Sequence, residues 1–189
     1  MPKLTGMRLL TIIFLLAAVP ALAQPRPDAR RAELDNLLSA LKLAPSEDAA
    51  AALEARIRQA WAQAGGPAAG LLLARGMRNL QNNAENDALD DFDAALVLEP
   101  DFAEAYRRRA MARFSLGDLR GAVADIQETL KREPRHFAAW QDLSRFAEAR
   151  DDPSGALAAW QKALEIDPRA PDGQERLKML RKKVLGEES

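Results

Sequence analysis

The chain has 189 residues, with 27 Lys and Arg against 28 Asp and Glu and a formal net charge of −1. That balance excludes the basic surface on which nucleic-acid binding depends. The absence of cysteine excludes a disulfide framework, a thiolate metal site and a cysteine nucleophile. Aromatic residues make up only 5%, and the 48% hydrophobic fraction is rich in Ala and Leu, strong helix formers. An all-α chain of ordinary domain size is the expectation.

The N-terminus reads as an export signal. Lys3 and Arg8 give a basic start, Leu9 to Val19 is an uncharged apolar run, and Pro20 breaks it before Ala21-Leu22-Ala23. The run is short of the ~20 apolar residues that span a bilayer, and the small-x-small triplet suits cleavage after Ala23. A retained short anchor is the alternative. Cleavage removes two cations and no acid, so the net charge of −1 becomes −3. Such a chain is expected in the periplasm or outside the cell, without membrane insertion, and with no attraction to anionic lipid.

Residues 24–27 form a proline-containing linker. Residues 28–66 predict a helical hairpin. Its first helix runs from Asp28 to about Leu43, with Leu34, Leu37, Leu38 and Leu41 at helical spacing. Pro45 interrupts it. Ser46 is the expected N-cap of the second helix, with Glu47 and Asp48 placed well for the helix dipole. Leu53, Ile57, Ala60, Trp61 and Ala64 form the apolar stripe, and Gly65-Gly66-Pro67 ends it.

Residues 69–170 match themselves at an offset of 34. Pro100, Pro134 and Pro168 share a column, as do Ala88, Ala122 and Ala156, and Phe92, Ile126 and Trp160. Ala95, Thr129 and Ala163 follow, then Leu96, Leu130 and Leu164. A period of this length means stacked helical hairpins, each of which buries its apolar face only against a neighbour. The small residues let two helices approach, the larger apolar ones fill the space between hairpins, and each proline stops a second helix. The boundaries are 69–102, 103–136 and 137–170. Gly117 marks a turn; Asn83 stands at its place in the first repeat and tolerates the same left-handed conformation. In the third repeat Asp151-Asp152-Pro153 reads as an N-cap before a proline at the first helical position. Leu72 and Gly76 replace Trp140 and Ser144 of the third repeat, so the first hairpin should pack closer but less firmly.

These columns resemble the tetratricopeptide repeat (TPR) family, most fully in the second repeat, where Tyr106, Ala110, Gly117, Asp118, Ala122 and Pro134 take the family's positions. The resemblance implies a right-handed superhelix of antiparallel hairpins whose first helices line a concave groove. It also makes 28–66 a degenerate repeat or cap over the first repeat's apolar face, or a separate partner-binding hairpin. It implies Leu73, Met77, Arg107, Arg108, Met111, Gln141 and Arg145 as groove residues and a protein or peptide as partner. Family members that grip a chain-terminal carboxylate use Lys and Asn where this chain has Leu73 and Met77. An extended or helical segment with apolar anchors and an acidic element is the better expectation here. In the alternative, Met77 and Met111 are core and Arg107-Arg108 a solvated face.

Two columns covary within the chain. Arg75 and Arg109 stand at the seventh repeat position and Asp91 and Asp125 at the twenty-third, while the third repeat has Leu143 and Ala159. Charge is present or absent at both together, which predicts Arg75–Asp91 and Arg109–Asp125 ion pairs inside the first two hairpins. Residues 171–189 predict a capping helix from about Gln174 to Leu185, with Leu177, Leu180, Val184 and Met179 on its apolar side. Arg181-Lys182-Lys183 suits its C-terminal dipole or a basic contact. The one histidine, His136, falls in a turn, and no phosphate loop, triad or metal set accompanies it. No enzyme activity and no cofactor are expected. Two further readings are a self-associating envelope scaffold and a periplasmic assembly factor or chaperone.

Overall fold

The computed structural model describes residues 27–186, and the leader expected over residues 1–23 lies outside the described residues. Among the described residues all regular structure is helical: α1 (Pro27–Lys42), α2 (Glu47–Ala62), α3 (Gly66–Gln81), α4 (Glu85–Leu98), α5 (Ala103–Ser115), α6 (Leu119–Arg132), α7 (Phe137–Ala149), α8 (Pro153–Ile166) and α9 (Gly173–Leu185). None of these helices is long and apolar enough to cross a membrane.

Three hairpins, α3–α4, α5–α6 and α7–α8, stack in chain order with α9 behind them. Local chemistry sets each hairpin. Asn83, Gly117 and Asp151 all take positive φ, at 56°, 81° and 58°, and make the three inter-helix turns. Asp118 and Asp152 then cap the second helices by accepting from the Gly121 and Gly155 backbone N–H at 2.9 and 2.8 Å. In the third repeat, therefore, Asp152 is the cap and Asp151 is the turn residue. Ala88, Ala122 and Ala156 are fully buried where the helices cross, and Phe92 and Ile126 are fully buried beside them. Gly76 lies against the Phe92 ring so closely that a Cβ would stand 2.6 Å from it. Ser144 at the equivalent place donates to the Ala156 carbonyl at 2.9 Å. The first hairpin thus closes by contact, the third by a hydrogen bond.

The tail docks as a helix on the third repeat. Leu180 is buried, Leu177 half-buried, and Met179 and Val184 are exposed. The apolar side of α9 is therefore narrower than its sequence predicts. The Trp160 indole donates to the Gly173 carbonyl at 2.9 Å. Lys183 reaches Glu148 of α7 at 2.9 Å, so at least one cation of the basic run is an interhelix partner.

The N-terminal hairpin is not stacked as a preceding repeat. Its core of Leu37, Leu38, Leu41, Ala50, Ile57 and Trp61 is continuous with Phe137 and Ala138 at the start of α7, with Ile166 at the end of α8 packed alongside. Helix α2 runs across successive inter-repeat turns. Gly65 abuts Phe102, Trp61 stacks on His136, and Glu54 faces Asp167. Seven residues separate Glu54 from Trp61, about 10 Å along a helix, close to the 8–10 Å between packed helix axes. One helix can therefore meet one turn after another. The cost is an uncovered face on α3. Leu71 is 74% exposed, while Ala105 and Ala139 in the same column are fully buried by the preceding hairpin.

Candidate functional site

The first helices of the repeats place residues nine positions in from each repeat start along one strip. Met111 and Arg145, 34 residues apart, touch directly: the Arg145 guanidinium lies 2.9 Å from the Met111 sulfur. Arg145 also stacks over the Phe114 ring at 5.4 Å, and its side chain keeps 46% exposure. Met77, Leu80, Met111 and Phe114 are each half-buried, packed on the core below and open above. Gln141 is half-buried as well. This strip offers adaptable apolar contact and one half-exposed cation, Arg145, which also reaches Asp142 of its own helix at 3.3 Å.

The fifth-position residues behave differently. Leu73 is 2% exposed and belongs to the core of the first hairpin, with Ala62 of α2 packed against that cluster. Arg107 is 8% exposed and is consumed by internal charges. It lies 3.2 Å from Glu104 and 2.9 Å from Asp142, the latter contact outside hydrogen-bond angles. Arg108 adds a 2.6 Å bond to Glu104. The expectation that Leu73 and Arg107 line an open groove is therefore corrected. Both are buried, Leu73 because it packs into the first hairpin's core with Ala62 alongside and Arg107 because it finds two carboxylates within its own fold, whereas Gln141 at the same repeat position is half-buried.

His136 completes that network. Its Nδ1 accepts from the Ala139 backbone N–H at 3.3 Å, which caps α7, and its Nε2 lies 3.0 Å from Glu104. A neutral ring with the proton on Nε2 satisfies both contacts. Burial pushes the His136 pKa down, against the pull of Glu104. Burial alone would raise Glu104, but the Arg107 charge, the His136 bond and the Arg108 charge hold it well below the usual carboxylate range. Trp61 covers the imidazole in a stack 3.6 Å between centroids, and tilts against Phe137 at 5.1 Å. The lone histidine is thus a structural hub between α2, α5 and α7.

Both anticipated ion pairs form. Arg75 donates to Asp91 through Nε at 2.7 Å, and Arg109 grips Asp125 with two bonds of 2.9 and 2.7 Å. Their settings differ: the Arg75 side chain is 60% exposed and that of Arg109 16%. A third column joins them. Asn79 donates to Asp91 at 2.9 Å and Arg113 to Asp125 at 2.8 Å, while the third repeat has Ala147. That eleventh-position covariation was visible in the sequence and completes the pattern.

Between the N-terminal hairpin and the α5–α6 repeat lies a cleft of about 370 Å³, lined by Arg31, Leu34, Trp61, Asp101 and Arg132 among others. Among the described residues no group of three His, Cys, Asp or Glu is placed to hold a metal ion.

No protein-family model matches the chain. A TPR repeat-containing protein of Rhizobium etli is 33% identical over 153 residues, covering 81% of this chain and 75% of that protein. The chain belongs to the TPR family. Tetratricopeptide repeat protein 33 of mouse is 31% identical over 97 residues, which is 51% of this TPR chain and 37% of the mouse protein. Among solved structures, the first TPR of Spaghetti (RPAP3) bound to the HSP90 peptide SRMEEVD superposes with TM-score 0.59 at 17% identity, covering 62% of this chain and 94% of that one. MamA superposes with TM-score 0.58 at 19% identity over 87% of both chains. At such identities these likenesses show the TPR superhelical fold.

Proposed function

We propose that this TPR chain is an exported protein-interaction module that holds a protein or peptide segment against the ninth-position strip of its groove. The observation that carries the reading is the contact between Met111 and Arg145 across successive repeats, with Phe114 beside them and Met77 and Leu80 half-buried at the matching positions of the first repeat. Apolar anchors of varied shape fit the methionines, and an acidic side chain fits Arg145. Solved TPR units of this fold include one bound to an HSP90 peptide and one named as a complex with Hsp70, which supports a segment-binding role. The residues that would grip a chain end are different here, so an internal segment is the partner we infer. Export rests on the leader sequence of residues 1–23.

The test is affinity capture from a cell-envelope extract with the chain and with a Met77→Glu/Met111→Glu variant of unchanged helicity. A partner held by the former and lost by the latter supports the groove. Identical partners on both would place binding elsewhere.

One observation favours a second reading, self-association. The face of α3 carrying Leu71 is left open, where the same face of α5 and α7 is covered by a hairpin. Light scattering that shows mass rising with concentration, and Leu71→Glu abolishing the rise, would support it.

A further inference from the structure

Independent of what the groove binds, the seat of the N-terminal hairpin contains a carboxylate with no partner. Asp167 follows α8 and is fully buried, and neither of its side-chain oxygens receives a hydrogen bond. The group facing it from α2 is another carboxyl, Glu54, itself nearly buried. Arg58 of α2 is the cation at this seam, but it bonds Glu54 at 2.8 Å and lies over the Phe137 ring at 4.9 Å. The backbone N–H of Arg169 points at Asp167 without reaching hydrogen-bond geometry.

Two ionised carboxylates facing each other in a buried seam, with one cation already committed, repel each other strongly. A proton held by Asp167 and donated to Glu54 resolves the conflict. It turns an unsatisfied oxygen into a donor and removes one charge. Glu54 sits on the N-terminal hairpin and Asp167 on the repeat scaffold, so that hydrogen bond requires the hairpin to be docked.

We propose that the N-terminal hairpin is latched to the TPR scaffold by a proton shared between Asp167 and Glu54, and that it leaves its seat when that proton is lost. Burial, with Glu54 as hydrogen-bond partner and as a nearby negative charge, pushes the Asp167 carboxyl up to about 7 from an ordinary value of 3.8. The sign follows. The docked state binds the proton more tightly than the undocked one, so docking is strongest at acidic pH. It weakens as pH rises from about 4 to about 7 and then levels off, by up to tenfold in the docking equilibrium per pH unit. The other buried titrating group at the seam, His136, works oppositely, since acid would charge a ring that burial keeps neutral. Undocking uncovers Phe137, Ala138 and the Trp61 face of His136.

The chain has no cysteine, so a single introduced thiol reports on one place. Ala138→Cys puts it beneath the hairpin, and Ala110→Cys puts it in the core of the second repeat. Labelling rates of each, divided by the rate for the unfolded chain at the same pH, give protection from pH 5.5 to 8. Protection at position 138 should fall up to tenfold per unit towards pH 7 and then flatten, while position 110 stays level. Asp167→Asn, whose amide replaces the proton as donor to Glu54, should remove this fall at position 138 and leave only the opposite, rising trend that His136 gives, and Glu54→Gln should do the same from the other side. The proposal is overturned if protection at position 138 is flat in the parent chain, if both positions fall together, or if neither variant removes the fall.

Discussion

Arg109 and Asp125 offer a direct measure of how much one interhelix ion pair contributes to a repeat. Asp125 is almost completely buried and receives two bonds from Arg109 and one from Arg113. Losing one partner of a fully buried pair costs about 3–5 kcal/mol, whereas an exposed pair contributes about 0–1 kcal/mol. Arg109 lies between these limits, and Arg113 remains on Asp125 when Arg109 is removed. We therefore expect Arg109→Leu to destabilise the chain by about 1–2 kcal/mol and Asp125→Ala by about 2–3 kcal/mol, because the latter removes the buried acceptor that two arginines share, although Arg109 keeps Asp93 at 2.5 Å. The double variant should cost less than the sum by about 1–2 kcal/mol, since each change removes the other's unpaired charge. For a chain of this size that coupling corresponds to a Tm difference of roughly 2–8 °C. Urea titration and thermal melts followed by circular dichroism give all four corners of the cycle. Adding Arg113→Ala rebuilds the third repeat's own solution of Leu143, Ala147 and Ala159, and should recover part of the remaining loss. The same cycle at Arg75 and Asp91 should show smaller coupling, because Arg75 reaches its partner from solvent. Additivity within about 0.5 kcal/mol at Arg109–Asp125 would refute the reasoning, since neighbours that share buried charge must couple.

Three further outcomes follow from the same geometry. Arg107→Ala removes the cation between Glu104 and Asp142, but Arg108 and His136 stay on Glu104 and Arg145 on Asp142, so it should cost about 2–3 kcal/mol in denaturant titration, less than a fully buried pair, which still makes it unsuitable as a probe of binding. Gly76→Val drives a branched side chain into the Phe92 ring and should destabilise by about 1–3 kcal/mol, whereas Ala110→Gly in the same column should cost about 1 kcal/mol or somewhat more through backbone entropy and a lost methyl. Glu104 is held below its ordinary value, so its contribution is present above the unfolded value of 4.5 and is lost as pH falls. Denaturant midpoints measured from pH 4.5 down to pH 3 should therefore fall more steeply for the parent chain than for Glu104→Gln.

The sequence by itself determined what is local or periodic. The 34-residue repeat, its prolines, the small crossing residues Ala88, Ala122 and Ala156, and the two ion pairs were legible because each hairpin is built within one repeat length and recurs. The turns were legible for the same reason: Asn83, Gly117 and Asp151 lie at one point of the period and take one backbone conformation. An amphipathic stripe records that a helix is covered, without recording by what. Leu37, Leu41, Ile57 and Trp61 announced a buried face on α1 and α2, but a stacked hairpin and an edge-running one bury the same stripe. Only the tertiary structure decided for the edge, through Gly65 against Phe102, Trp61 on His136 and Glu54 at Asp167. Arg107 carried the same limit. On the helix it reads as an outward cation, and its burial depends on Glu104 one turn away and on Asp142 in the next repeat. Charge and hydrophobicity are properties of a residue, whereas solvent exposure belongs to the assembly around it, and here three separate segments converge to set it.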